Sequence, residues 1–208
     1  KYRIGLGVSG GIAAYKAVEV MRLLQKSGCE VSVAMTRHST EFVQPLTFRA
    51  LTEKHVIVDD YDPENPDPIA HINFSQNIDL LLIVPATANI IAKFANGVAD
   101  DFLTSTYLAS TTPVLIAPAM NTTMWEQAAT QRNTACVGTG RSEATMAVIL
   151  TRPALRRYAG PARLRTEEER AMGLFWDLYQ QSQISDQGQR AASLEGRVER
   201  LERENDRL

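Results

Sequence analysis

Residues 78–84, IDLLLIV, are apolar almost without interruption. A strand with one wet face would alternate apolar with polar residues. A run that is apolar on both faces belongs in the centre of a parallel sheet covered by helices on either side. Residues 3–8 (RIGLGV), 30–35 (EVSVAM), 55–58 (HVIV) and 113–117 (PVLIA) read as further strands. Helical spacing fills the intervals. Over 11–27, Ile12, Tyr15, Val18, Leu23 and Leu24 are available for one face, and Gly28 stands as a stop. Residues 38–52 hold two short helical pieces split before Pro45, and 87–96, 100–110 and 122–132 read as helices. This alternation predicts an α/β fold to about residue 133: a doubly wound parallel sheet in a Rossmann- or flavodoxin-like three-layer arrangement. In such folds ligands sit beyond the carboxyl ends of the strands. The informative loops are therefore those after residues 8, 35, 84 and 117.

Composition sets the outer limits. The chain has 208 residues, 44% hydrophobic and 22% charged, with net charge −2. It is long enough for one core of roughly 100–150 residues with a remainder. No apolar run approaches the ~18 residues of a membrane span, and Lys1-Tyr2-Arg3 opens no leader pattern. Cys29 and Cys136 are too few for a disulfide framework, so a cytoplasmic setting is expected. The near-neutral total argues against a nucleic-acid partner. The charge is unevenly composed. Residues 1–133 hold ten Lys and Arg against thirteen Asp and Glu, whereas 134–208 hold twelve Arg, no Lys, and eleven acids. The second stretch looks compositionally foreign to the first.

Gly5-Leu6-Gly7-Val8-Ser9-Gly10 matches the dinucleotide-binding pattern G-x-G-x-x-G, but two of its glycines fall inside the strand. The second strand also ends Val33-Ala34-Met35-Thr36, without an acid for a ribose hydroxyl. Ser9-Gly10-Gly11 at a helix N-terminus reads better as a single-phosphate cradle suited to a mononucleotide, with Thr36 and Ser39 adding hydroxyls. A plain glycine turn is the competing reading. Pro85-Ala86-Thr87-Ala88-Asn89 offers small residues that let a flat ring approach, or simply a helix cap. Asn121, in Pro118-Ala119-Met120-Asn121-Thr122-Thr123-Met124-Trp125, is an N-cap or a substrate donor beside apolar walls of Met120, Met124 and Trp125. His71 follows the acidic, proline-rich stretch DDYDPENPDP at a loop-to-helix junction. It is a candidate acid or base, or a structural histidine. The scattered His and Cys residues form no metal constellation.

Taken together these loops resemble one family. GGIAAYK at 10–16, FVQPLTF at 42–48, Ala70-His71-Ile72, PATAN at 85–89, GVADD at 97–101 and PAMNTTMW at 118–125 occur in order, from about residue 3 to 133. The chain resembles the homo-oligomeric flavin-containing cysteine decarboxylases, most nearly the branch acting on phosphopantothenoylcysteine that includes the N-terminal half of the bifunctional coenzyme A enzyme. The resemblance implies FMN held between subunits of a trimer or a trimer-based dodecamer. It implies that Ser9, Gly10, Ile12, Thr36, Ser39, Pro85, Ala86, Thr87, Ala88 and Asn89 bind the cofactor. His71 is then the catalytic base, Asn121 holds the substrate carboxylate, and Cys136 is the clamp cysteine. The chemistry is coherent: oxidation of a cysteine side chain to a thioaldehyde creates the C=S sink that decarboxylation needs, and the flavin takes and returns the electron pair.

After Asn133 the chain departs from that family. Only Ala135-Cys136-Val137-Gly138-Thr139-Gly140-Arg141 is similar to the family's Ala-Cys-Gly-Asp clamp, and its Gly-Asp pair is missing. A short strand is expected at 146–150 and loops elsewhere in that stretch. The expected organisation is a flavoprotein domain over 1–141 and an unrelated-looking tail over 142–208. That tail has a helix at 166–183 and a short heptad helix at 190–208. Leu194, Val198, Leu201, Asn205 and Leu208 follow spacings of a coiled coil that favours a parallel dimeric partner, or of a short charged amphipathic helix that frays alone. The reading is a decarboxylase of 4′-phosphopantothenoylcysteine. The alternatives are an FMN-binding, non-catalytic or regulatory subunit, or a flavin decarboxylase of peptide C-terminal cysteine.

Overall fold

Strands that must be covered on both faces lose nearly all their exposure on folding. In β1 (Arg3–Val8) every residue after Arg3 is buried, and β3 (Leu80–Ala86) is buried throughout. The computed structural model describes residues 2–59, 67–139 and 147–149. The chain divides into two units, Lys1–Arg157 and Tyr158–Leu208, and all described residues belong to the first. The expected helices at 166–183 and 190–208 lie outside the described residues.

The chain runs β1, α1 (Ala14–Lys26), β2 (Glu30–Met35), a short 3₁₀ helix (Arg37–Glu41), α2 (Pro45–Thr52) and α3 (Ala70–Gln76). It continues through β3, α4 (Ala88–Ala95), α5 (Phe102–Ala109), β4 (Val114–Pro118), α6 (Thr122–Glu126), α7 (Ala128–Thr139) and β5 (Ala147–Ile149). The sheet order is β2-β1-β3-β4-β5, all parallel. This is the expected doubly wound α/β architecture. At the amino-terminal end of the sheet, Arg3 and Asp79 tie β1 to the segment leading into β3, with Nη2 to Oδ1 at 2.7 Å. The guanidinium hydrogen bond is the main reason the Asp79 carboxyl sits below the usual range.

Helix α1 buries Ala14, Ala17, Met21 and Leu24, so of the face expected from Ile12, Tyr15, Val18, Leu23 and Leu24 only Leu24 is buried, and Ile12 and Tyr15 are exposed. The helix ends where the amides of Gly28 and Cys29 turn back to the carbonyls of Gln25 and Leu24. That closure needs Gly28 at φ +83°, which only glycine adopts cheaply. On the other face, Phe94 stacks on Tyr107 at 3.9 Å and Phe102 meets Phe74 edge-on at 5.6 Å. Gly5 and Gly7 serve this packing. A Cβ at Gly5 would meet Phe74 and Ile78 at 2.8 Å, and one at Gly7 would meet Leu103 and Ile83 at 2.7 Å. The first two glycines of the G-x-G-x-x-G match thus make room for neighbouring side chains.

Three further details differ from the sequence-based expectations. The strand expected at 55–58 is a single parallel bridge between Ala34 and Ile57. The helix expected at 122–132 is two helices, broken where Gln127 is extended. Helix α7 then runs to Thr139, through residues expected to be loop. Threonine, valine and glycine are indifferent helix formers, but α7 packs on α4 and carries Val137 into the core at 2% exposure. Burial there overrides local propensity.

Candidate functional site

The connections from β1 and β3 leave in opposite directions, one toward β2 and the other toward β4, so a crevice opens beyond their carboxyl ends. A cleft of about 1330 Å³ occupies this position. Its lining comes from Ser9–Ala13 after β1, Thr36–His38 after β2, Thr87–Ile90 after β3 and Ala119–Asn121 after β4. Val58, Asp59, Lys93, Asp100, Asp101, Phe102 and Met124 complete it.

The switch point is stitched by one buried hydroxyl. Ser9, 1% exposed, donates through Oγ to the Pro85 carbonyl at 2.7 Å and accepts from the Thr87 amide at 3.0 Å. The Ser9 amide also donates to the Pro85 carbonyl at 3.3 Å, and Thr87 Oγ1 caps α4 by accepting from the Ile90 amide. These bonds hold the amides that follow in place. Gly10, Gly11, Ile12 and Ala13 precede the first turn of α1, and their amides meet no acceptor among the described residues. A side chain at residue 10 cannot coexist with this arrangement, because its Cβ would lie 2.8 Å from the His38 carbonyl carbon. Thr36 lines the same cleft, and its Oγ1 is buried with no hydrogen-bond partner among the described residues. Unaccepted amides of cleft-lining residues ahead of a helix, with an unsatisfied hydroxyl, suit an oxyanion.

Of the residues expected to bind a cofactor, the cleft brings together Ser9, Gly10, Ile12, Thr36, Thr87, Ala88 and Asn89. Ser39, Pro85 and Ala86 lie behind the lining. Ser39 Oγ donates to the Thr36 carbonyl at 2.7 Å, and Pro85 and Ala86 are buried in β3. Asn121 lines the cleft. Its Oδ1 accepts from the Thr123 amide at 2.8 Å and caps α6, while its Nδ2 has no partner among the described residues. His71 sits half-buried in the first turn of α3 and does not line the cleft. Cys136 is exposed on α7 and is also off the lining.

The cleft contains charged residues that the sequence reading passed over. On one edge Lys93 Nζ lies 2.6 Å from Asp100 and 3.0 Å from Asp101. Burial works against the ammonium, but the two carboxylates outweigh it and raise the Lys93 pKa. Asp101 also heads α5 in a reciprocal capping box with Thr104. On the other edge Arg37 pairs with Asp59 at 2.9 Å, and the His38 ring stands edge-on to Phe42. Arg37 and His38 directly follow Thr36 at the end of β2, so the rule that selected Thr36 could have found them.

Comparison with known proteins agrees with this architecture. The Flavoprotein family model matches residues 1–171, past the domain boundary expected at 141. The coenzyme A biosynthesis bifunctional protein CoaBC of Bacillus subtilis is 50% identical over 128 residues, which is 62% of this chain and 32% of that protein. The Escherichia coli K12 protein of the same name is 43% identical over 131 residues, 63% of this chain and 32% of its own length. The chain spans about a third of the curated relatives it matches. Among solved structures, the FMN-dependent cysteine decarboxylase SpaF superposes with a TM-score of 0.64 at 34% identity, covering 72% of this chain and 84% of that one. A PPC decarboxylase mutant complexed with pantothenoylaminoethenethiol gives 0.59 at 30% identity, over 71% and 81%. With its parallel sheet, its cleft at the switch point and a family match across most of its length, the chain belongs to the Flavoprotein family.

Proposed function

We propose that this chain is an FMN-dependent decarboxylase that converts 4′-phosphopantothenoylcysteine to 4′-phosphopantetheine, a carboxy-lyase step of coenzyme A biosynthesis. The observation that carries the reading is the set of four amides with no acceptor among the described residues, in one cleft with a Thr36 hydroxyl that has no partner among them, at the switch point of a flavoprotein fold. The residues fit FMN. The amides of Gly10–Ala13, with Thr36, would hold its phosphate, and the small residues Ala88 and Ala119 would leave room for a flat ring. FMN supplies, when bound, the two-electron acceptor and donor that decarboxylation of a plain cysteine lacks. The names of the relatives, CoaBC and PPC decarboxylase, support this substrate class.

The chain's own residues then bind, orient and exclude water. Met120 and Met124 form an apolar wall. Asn121, its Oδ1 engaged by α6, presents its amide NH₂ to the substrate carboxylate. His71 serves as the base that takes the substrate proton. Its position off the cleft, on α3, supports a site completed between copies of this chain, with His71 of one copy facing the cleft of another. Ile12 at the cleft is 81% exposed and Leu46 on α2 is 70% exposed, consistent with apolar surface covered by self-association into a trimer or dodecamer. No helix among the described residues is long and apolar enough to cross a membrane.

Purified protein that is yellow, takes up FMN and releases CO₂ from phosphopantothenoylcysteine is the expected result. Colourless protein that takes up no FMN overturns the reading. A second reading follows from Cys136, which is exposed on a continuous helix and off the cleft. If Cys136 supplies no clamp, the chain is an FMN-binding subunit that starts the oxidation without completing turnover. Protein that binds FMN and consumes phosphopantothenoylcysteine without releasing 4′-phosphopantetheine would point that way.

A further inference from the structure

Two of the cleft's charges are arranged as an exchangeable pair. The Ser9–Ala13 cradle supplies amides but no formal charge, and a phosphate monoester carries up to two negative charges. Lys93 is already outnumbered by Asp100 and Asp101, so that edge of the cleft offers no net cation. The 3₁₀ helix Arg37–Glu41 lies directly on the cradle, since a Cβ at Gly10 would meet the backbone and ring of His38. Arg37, on that helix, also lines the cleft. Its guanidinium is highly exposed, at 85%, and is held by the Asp59 carboxylate at 2.9 Å. An exposed pair of this kind is weak, worth little against a competing dianion. A phosphate accepts two parallel hydrogen bonds from a guanidinium as readily as a carboxylate does.

We infer that Arg37 is a phosphate-recognition residue that exchanges partners, leaving Asp59 for the phosphate of the bound mononucleotide, and that Asp59 thereby sets how tightly the cofactor is held. The inference rests on the FMN reading above and adds to it a residue that distinguishes the phosphorylated flavin from its unphosphorylated form. No covalent step is involved. Asp59 acts as an internal competitor: it parks the arginine in the empty protein and is displaced by a stronger anion. Binding should therefore respond in opposite directions when the two partners are removed.

The test is titration of the full-length apoprotein with FMN and with riboflavin, followed by flavin fluorescence, at low and high NaCl. Arg37→Ala should weaken FMN about tenfold, the scale of one charge-assisted interaction, and leave riboflavin unchanged. Asp59→Asn should tighten FMN about threefold, again with riboflavin unchanged. Salt should weaken FMN binding less in Arg37→Ala than in the parent. The inference is overturned if Arg37→Ala weakens both flavins equally or neither, or if Asp59→Asn weakens FMN as Arg37→Ala does. Those results leave the FMN reading intact, whereas a parent protein that binds neither flavin removes both.

Discussion

The two halves of the cleft are built to different standards. The half formed by the loops after β1, β2 and β3 is tied together by hydrogen bonds within one chain. Ser9 is buried and bonded to both the carbonyl and the amide it faces, and Thr87 caps the next helix. The half formed after β4 is open. Helix α6 buries none of its residues, Met124 is 49% exposed, and Asn121 is an exposed cap. His71 and Cys136 stand off the lining altogether. In the proposed function the first half holds the cofactor, and it gains from a backbone fixed by Ser9 and Thr87 with the cradle amides left for the ligand. In the proposed function the second half admits and releases a substrate, so it cannot be closed permanently.

The sharpest test of this division is His71→Asn. It should lower CO₂ release about a thousandfold, the range of a lost general base, while FMN affinity stays within about twofold. Loss of FMN in that variant would mean the two halves are not separable. Next is Gly10→Ala, which should do the reverse. The added methyl presses on the His38 backbone, and FMN affinity should fall by roughly ten- to hundredfold in fluorescence titration with the far-ultraviolet circular dichroism retained. Ser9→Ala strands the Thr87 amide at the buried switch point. It should cost about 1–3 kcal/mol, seen as a melting temperature lower by roughly 5 °C. The matching change on the open side, Met124→Ala, should leave the melting temperature within about 1 °C, because that side chain is half exposed.

The smallest effect concerns pH. The Lys93 pKa is raised in the folded chain, so its ion pairs stabilise fully below the ordinary lysine value of 10.5 and lose that contribution as pH climbs through the raised value. The parent should melt slightly above Lys93→Gln at neutral pH, and the two curves should converge in strong alkali. A gap that instead widens there would contradict the assignment of the Lys93 pairs.

Much of the cradle was legible because it is local. Ser9-Gly10-Gly11 combines small residues with a helix start, and Thr36 lies at a strand end. Those are properties of short stretches read one at a time. The G-x-G-x-x-G match misled only until its glycines were placed in a strand, and the packing of Phe74 and Leu103 against Gly5 and Gly7 accounts for them. The open half was harder to read. Asn121 could be named as a cap or a donor, and the structure makes it a cap through Oδ1 with Nδ2 still available. Helix α7 runs beyond the end expected at residue 132, where the helical pattern fades, and the burial of Val137 against the neighbouring core accompanies that extension.

The sequence by itself determined the alternation of strands and helices, the buried character of β3, and which loops end at the ligand-binding edge. Each follows from apolar periodicity and turn chemistry, which act over a few residues. Only the tertiary structure decided that Ser9 and Thr87, 78 positions apart, share a hydrogen bond, and that Arg37 and Asp59 meet at the rim. Only the fold separated His71 from the cleft that Asn121 lines. Those relations are set by the strand order β2-β1-β3-β4-β5, a consequence of how the whole core is packed rather than of any one segment.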